Sequence, residues 1–251
     1  VMKILLWDIE TSLMIAAVFG RFKQDIQYDN ILQDWFIHSI AWKWLDQKRV
    51  HAVSGLNDMK RFNRDHTDDY HIVKTVADVI NQADVIVGHN GDAFDIKKFK
   101  ARCIALDIPP IKEPLFIDTL KVARQAKFTS NKLDDLGSIL GIGNKIHNPR
   151  GLWLKALQGD VKAIKQMVKY NKQDVLLLER LYLKLRPYMK THPNHNVFSE
   201  GRDVCSKCGS EDIQYRGYAL TRTAKKRRYQ CNSCGGYSRS GKNEIKGVNL
   251  R

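Results

Sequence analysis

Two C-x-x-C pairs, Cys205/Cys208 and Cys231/Cys234, stand 22 residues apart in the last fifth of this 251-residue chain. Each is followed directly by glycine, at Gly209 and Gly235. A Cys-x-x-Cys-Gly turn presents two thiolates on one side, and two such turns complete a tetrahedral Zn²⁺ site with bonds of about 2.3 Å. Four protein ligands leave no open position, so the expected ion is structural. Its binding would supply much of the folding energy of a module of roughly 40 residues, too small to hold together on an apolar core alone. A disulfide framework is disfavoured, because five cysteines leave one over and no secretion signal precedes them. A redox pair is the weaker alternative. Cys103, the fifth, lies in a segment of helical apolar spacing and reads as an inert buried thiol.

The charge pattern separates the same region. Net charge is +15, from 42 Lys and Arg against 27 Asp and Glu. Residues 199–251 carry 12 basic and 5 acidic residues, while residues 1–198 carry 30 and 22. An excess of this size points to a polyanionic partner, most simply nucleic acid, with solubility alone as the alternative. Between the cysteine pairs runs Arg222-Thr223-Ala224-Lys225-Lys226-Arg227-Arg228-Tyr229, with Tyr218 just ahead. Lys and Arg suit phosphates and tyrosine suits a base face; a solvated hairpin surface is the bland alternative. An apolar fraction of 43% fits a globular chain. No apolar run reaches membrane-spanning length, and Asp8 interrupts the N-terminal run before a signal core forms. The expectation is a soluble, intracellular, cytoplasmic protein.

Ahead of the polar linker Thr191–Asn196 the pattern is α/β. Strands are expected at residues 3–8, 36–44, 49–53, 83–88 and 116–118, with a loop and a short helix over 12–34. Helices are expected over 73–80, 92–106, 120–126, 133–140, 152–157 and 160–188, the last capped by Asp160. Acids fall at suggestive places in this pattern. Asp8 and Glu10 are two apart at the end of the first strand, hence on one face, where they repel unless a cation lies between them. Asp92 and Asp95 follow the strand Val85-Ile86-Val87, at the kind of strand exit that carries active sites in open α/β sheets. Tyr170 and Asp174 share one face of the long helix. Each observation alone fits an ordinary strand end, helix start or helix face.

The ordered set D-I-E-T (Asp8 to Thr11), H-N-x-x-x-F-D (His89 to Asp95) and Y-x-x-x-D (Tyr170 to Asp174) resembles the DEDD superfamily of 3′–5′ exonucleases. Its nearest likeness is to the proofreading domains of family B DNA polymerases. The resemblance covers about residues 3–188 and includes weaker segments at Asp118-Thr119-Leu120 and Lys132–Leu136. It implies a ribonuclease H-like fold, a mixed sheet flanked by helices. It also implies two Mg²⁺ or Mn²⁺ ions on Asp8, Glu10, Asp95 and Asp174, with Asp8 bridging. Glu10 and Asp174 would share the nucleophile-side ion, and Asp95 would stand near the other. Asp92 would be a helix-start or substrate-side residue, and Asn90 would brace the loop or contact the terminal nucleotide. The subclass with His needs it at position 169, which is lysine; the Tyr subclass needs Tyr170, which is present. Tyr170 would orient the attacking water.

The cysteine tail resembles a zinc ribbon. The expected division is a catalytic domain over 1–190, a linker over 191–200 and a basic ribbon over 201–251. The expected activity is release of nucleoside 5′-monophosphates from 3′ ends, DNA more than RNA. The ribbon would grip the strand through Arg222, Lys225, Lys226, Arg227, Arg228 and Tyr229, or else dock a protein. Length leaves no room for a polymerase domain. The rival readings are a non-catalytic nucleic-acid-binding adaptor on the same fold and a structure-selective endonuclease. Phe19, Phe22, Trp35 and Phe36 are expected mostly in core or lid packing, with base stacking the lesser alternative.

Overall fold

The computed structural model describes residues 1–245, so residues 246–251 of the expected ribbon domain lie outside the described residues. The chain divides into two compact units, Lys3–Arg180 and Leu181–Arg251, the latter joined by Val1–Met2. Among the described residues no helix is long and apolar enough to cross a membrane.

In the first unit, β1 (Ile4–Thr11) is followed by the short β2 (Ile15–Ala16) and β3 (Ile31–Gln33), then β4 (Ile37–Trp44) and β5 (His51–Ser54). Next come α1 (Met59–Arg64), α2 (Tyr70–Ile80), β6 (Val85–Gly88), α3 (Asp95–Ala105), β7 (Leu115–Asp118) and α4 (Thr119–Ala126). The last elements are α5 (Leu133–Ile139), α6 (Leu152–Leu157) and α7 (Val161–Leu185), whose final turn passes into the second unit. Five strands form one sheet in the order β5-β4-β1-β6-β7. β4 and β5 are antiparallel, and β6 and β7 run parallel to β1. Such a mixed sheet, flanked by helices, is the ribonuclease H-like α/β arrangement.

β1 sits at the centre, and this explains its composition. A strand covered on both faces reads as a continuous apolar run, and Ile4 to Trp7 are all buried. Trp7 meets Phe99 of α3 edge to face, with ring centroids 5.6 Å apart. The apolar stripe Ile72, Val73, Val76, Ala77 and Ile80 packs α2 into the same core. A second cluster joins Leu152 and Ala156 of α6 to Ala163, Ile164 and Met167 of α7. Asp160 caps α7 as expected, accepting from the Lys162 and Ala163 N–H groups at 2.7 and 3.1 Å. Cys103 is buried as expected.

Four details depart from the sequence reading. Residues 12–34 hold the short helix expected, a single 3₁₀ turn (Tyr28–Asn30), but also a β2/β3 ladder where a loop was expected. Helix α1 was not expected, since its six residues are too few to show a period; Asp58 caps it by accepting from Arg61 N–H at 3.1 Å. Helix α3 starts at Asp95, not Asp92, because Asn90 adopts a left-handed φ of 67° and turns the chain first. Phe36 and Trp35 pack as expected, Trp35 beneath the Lys98 ammonium at 3.7 Å, but Phe19 and Phe22 are 105% and 77% exposed.

In the second unit, β8 (Ile213–Leu220), β9 (Lys225–Cys231) and β10 (Tyr237–Arg239) form an antiparallel sheet in the order β10-β9-β8.

Candidate active site and thiolate centre

Central β1 delivers Asp8 and Glu10 to one place, and α7 brings Asp174 to meet them. Ligand oxygens of Asp8, Glu10 and Asp174 all lie within 4.8 Å of one another. Asp95 stands outside this trio but beside it: its Oδ1 accepts from the Ile9 N–H at 3.3 Å, between the two β1 acids. The residues that hold these carboxylates are buried. Asn171, fully buried, donates from Nδ2 to Asp8 Oδ2 at 2.6 Å, and its own Oδ1 accepts from the Ser39 hydroxyl at 3.2 Å. Ser39 faces Glu10 across the β1/β4 ladder.

Charge decides what such a cluster can do. At about 5 Å and an effective dielectric near 20, each pair of ionised acids repels by about 3 kcal/mol. Three such pairs cost about 10 kcal/mol, comparable with the whole stability of a domain. The acids therefore take up protons or a cation. Burial, with Glu10, Asp95 and Asp174 nearby, pushes Asp8 well above the usual carboxylate range. Burial and Asp174 raise Glu10 to about 8, burial raises Asp95 to about 7, and burial raises Asp174 as well. Asp174 Oδ1 is buried without a hydrogen-bond partner among the described residues. Hard oxygen donors with an orphaned lone pair suit Mg²⁺ or Mn²⁺.

Lys145, which lies between α5 and α6, escaped the sequence reading. Its ammonium bonds Asp174 and donates to the Tyr170 hydroxyl at 2.9 Å. Burial pulls the ammonium down, but Asp174 and Tyr170 outweigh burial and hold it above its ordinary value. Gly137 of α5 makes room for this loop, since a Cβ there would sit inside the Gly143 carbonyl. Tyr170 also meets Trp153 edge to face at 6.1 Å. Burial raises the Tyr170 phenol to about 12, so it stays protonated at neutral pH. No periodicity marks Lys145 in the sequence. Asn171 carried a faint signal as the neighbour of Tyr170.

A cleft of about 620 Å³ opens beside the acids, lined by Asp8, Asn90, Arg124, Lys132 and Lys145 among others. The Asn90 N–H donates to Asp118 Oδ1 at 2.9 Å, which also caps α4 through the Leu120 N–H at 2.9 Å. Asp92 lies away from the trio and pairs with Lys121.

The thiolate centre is built from two matching turns. The Gly209 N–H donates to Cys205 O and the Gly235 N–H to Cys231 O, each at 2.9 Å. Both glycines have left-handed φ, 76° and 73°, which a side chain would strain. All four sulfurs lie within 4.8 Å of one another. Cys205 to Cys234 is 3.7 Å and Cys208 to Cys231 is 3.6 Å. A tetrahedron with 2.3 Å Zn–S bonds has edges of about 3.8 Å, whereas a disulfide is about 2.05 Å. The spacing fits zinc.

The pleat splits the basic run. Lys225, Arg227 and Tyr229 share one face of β9; Lys226 and Arg228 share the other. Arg222 sits at the exposed hairpin tip. Several of these charges have internal partners: Arg227 pairs with Glu244 at 3.2 Å, Lys226 donates to Gly241 O at 3.0 Å, and Arg228 donates to Arg216 O at 2.9 Å.

No curated protein matches the chain. A family model of the RNase H superfamily matches residues 45–186, more than half of it, taking in Asp95, Lys145, Tyr170 and Asp174 but starting after Asp8 and Glu10. Its strand order, its central acid-bearing strand and this match agree: the chain belongs to the RNase H superfamily.

Proposed function

We propose that this protein is a two-metal-ion 3′–5′ exonuclease of the Tyr subclass, similar to the proofreading domains of family B polymerases. The observation that carries this reading is the trio Asp8, Glu10 and Asp174, with Tyr170 one helical turn before Asp174 and Asp95 alongside. Members of the superfamily are usually metal-dependent nucleases. Asp8, Glu10 and Asp174 would hold one divalent ion, and Asp95 with Asp8 a second. When bound, such ions activate a water and neutralise charge on the phosphate and the leaving oxygen.

The chain's own groups do the rest. Asn171 and Ser39 fix the Asp8 carboxylate, and the Ile9 N–H fixes Asp95. The Tyr170 hydroxyl, held protonated at neutral pH by a value pushed up to about 12, is no proton acceptor and instead orients the attacking water through hydrogen bonds. Lys145 holds that hydroxyl in place and adds positive charge beside the phosphate. Water attacks phosphorus and gives up a proton to solvent, the bond to the 3′ oxygen breaks, and that oxygen takes up a proton from solvent as it leaves. The product is a nucleoside 5′-monophosphate, the substrate DNA in preference to RNA. We assign the chemistry to residues 1–190, a linker to 191–200 and strand holding to a zinc ribbon over 201–251.

The rival reading, a non-catalytic binding protein, has one observation in its favour: Lys145 partly neutralises the acids. One ammonium against four carboxylates leaves the cluster short of cations, which favours the enzyme. The test is a panel of 5′- and 3′-end-labelled DNA and RNA with Mg²⁺ or Mn²⁺. Mononucleotides should appear first from the 3′ end, and a blocked 3′ end should protect. Internal cutting would support the endonuclease, 5′ cutting would reverse the polarity, and absence of cutting with retained binding would support the adaptor.

A further inference from the structure

The face of β8 that carries Tyr215 and Tyr218 is formed by an irregularity. Residues three apart on a regular strand point to opposite faces. Between Tyr215 and Tyr218 the register with β9 shifts, with Gly217 at a left-handed φ of 72°. The extra residue of a bulge reverses the alternation and re-aims the side chains beyond it. Tyr215 therefore lies opposite Tyr229, and Tyr218 opposite Arg227, on the same face. Ring centroids are 5.9 Å apart for Tyr215 and Tyr218 and 6.2 Å for Tyr215 and Tyr229, both edge to face. The Lys225 ammonium lies 4.2 Å from the Tyr218 centroid.

These rings are not a small hydrophobic core. Tyr215 is 51% and Tyr218 42% exposed, while the module buries Val204, Cys205 and Cys231 near the thiolate centre. Tyr215 and Tyr218 of β8 and Tyr229 of β9 join ring faces to the cations of β9's consecutive Lys and Arg, and Glu244 is an acid that offsets Arg227 there. A duplex offers phosphates to such a surface but keeps its bases stacked; unpaired bases can lie on the rings while their phosphates meet Lys225 and Arg227.

We propose that Tyr215, Tyr218 and Tyr229, with Lys225 and Arg227, form a stacking platform for single-stranded nucleic acid. This deepens the nuclease reading and rests on it for the identity of the partner as nucleic acid. Lys226 and Arg228 lie on the opposite face, where, among the described residues, a single exposed ring, Tyr237, sits 5.7 Å from the Arg228 guanidinium; their assigned role is phosphate contact.

The test uses the full-length zinc-loaded protein in Ca²⁺ without chelator, read by fluorescence anisotropy. The probes are a 20-nucleotide oligothymidylate, an abasic strand of equal length, the matching duplex and poly-glutamate. Wild type should bind oligothymidylate more tightly than any other probe. The double variant Tyr215→Leu/Tyr218→Leu should lose at least about tenfold for oligothymidylate and little for the abasic strand. Tyr215→Phe/Tyr218→Phe should retain binding, because the ring faces remain. Lys226→Gln/Arg228→Gln should weaken both strands alike and flatten the salt dependence. Zinc content and near-ultraviolet circular dichroism verify that each variant is folded. Unchanged oligothymidylate binding in a folded leucine variant, equal loss for the abasic strand, or equal affinity for poly-glutamate would overturn the platform. Release of mononucleotides with Mg²⁺ reports the nuclease reading separately: its failure with tyrosine dependence intact would remove the nuclease and leave the platform.

Discussion

The carboxylate site draws Asp8, Asp95 and Asp174 from β1, α3 and α7, while the thiolate centre draws four cysteines from two turns within 30 residues. The first is preassembled by a large core, which holds the acids together against their mutual repulsion. The second belongs to a small sheet with few buried side chains, so a zinc ion on its four thiolates would contribute to folding. One centre thus stresses the fold that carries it, and the other, once loaded with zinc, would hold its fold together.

The largest expected effect separates chemistry from folding. Asp8→Ala should lower Mg²⁺-dependent cleavage by about a thousandfold or more while relieving repulsion, so that thermal stability is kept or raised. Wild-type turnover in that variant would remove Asp8 from the site. Stripping zinc, or Cys205→Ser, should do the reverse and unfold the ribbon. Hydrogen exchange should then rise across Ile213–Arg239 and stay low in the β1–β6 core; unchanged protection of β8 and β9 would show that the module needs no metal.

A smaller effect is expected from Lys145→Ala, about ten- to a hundredfold in kcat, with Lys145→Arg recovering part of it. Loss in KM alone would make Lys145 a substrate grip and leave Tyr170 unaided. The smallest is a pH dependence of stability. Folded-state values near 7 for Asp95 and 8 for Glu10 lie above those of an unfolded chain, so the fold binds more protons between about pH 4 and 8. The acids' share of the metal-free stability should therefore fall as pH rises through that window and level off above it, while His38, His89 and His192, lowered to about 4 by burial, oppose that slope below about pH 6.5. Glu10→Gln should flatten the slope, and Mg²⁺ should oppose it, most strongly at high pH. An unchanged slope in metal-free Glu10→Gln between about pH 6.5 and 8, above the histidine range, would contradict the raised values.

Much of this was legible in the chain. Continuous apolar runs marked β1 and β6, helical spacing marked α2 and α7, and the acids lay at strand and helix ends where alternation and periodicity could place them. The C-x-x-C-G turns needed only local geometry. Lys145 and Ser39 were hidden, and Asn171 nearly so, because a lysine in an aperiodic loop or a polar residue beside a motif looks like solvent-facing polarity. Phe19 and Phe22 were misjudged since composition does not reveal which aromatics find a core.

By itself, then, the sequence determined most of the strands and helices, the thiolate pairs and the candidate acids, all of which depend on residues a few positions apart. Only the tertiary structure decided that Asp174 meets Asp8 and Glu10, that Lys145 closes on Tyr170, and that a shifted register turns Tyr215 and Tyr218 to one face. Those contacts join residues distant in the chain or depend on the alignment of paired strands. They arise from how core packing and backbone pairing are satisfied together, which no local pattern encodes.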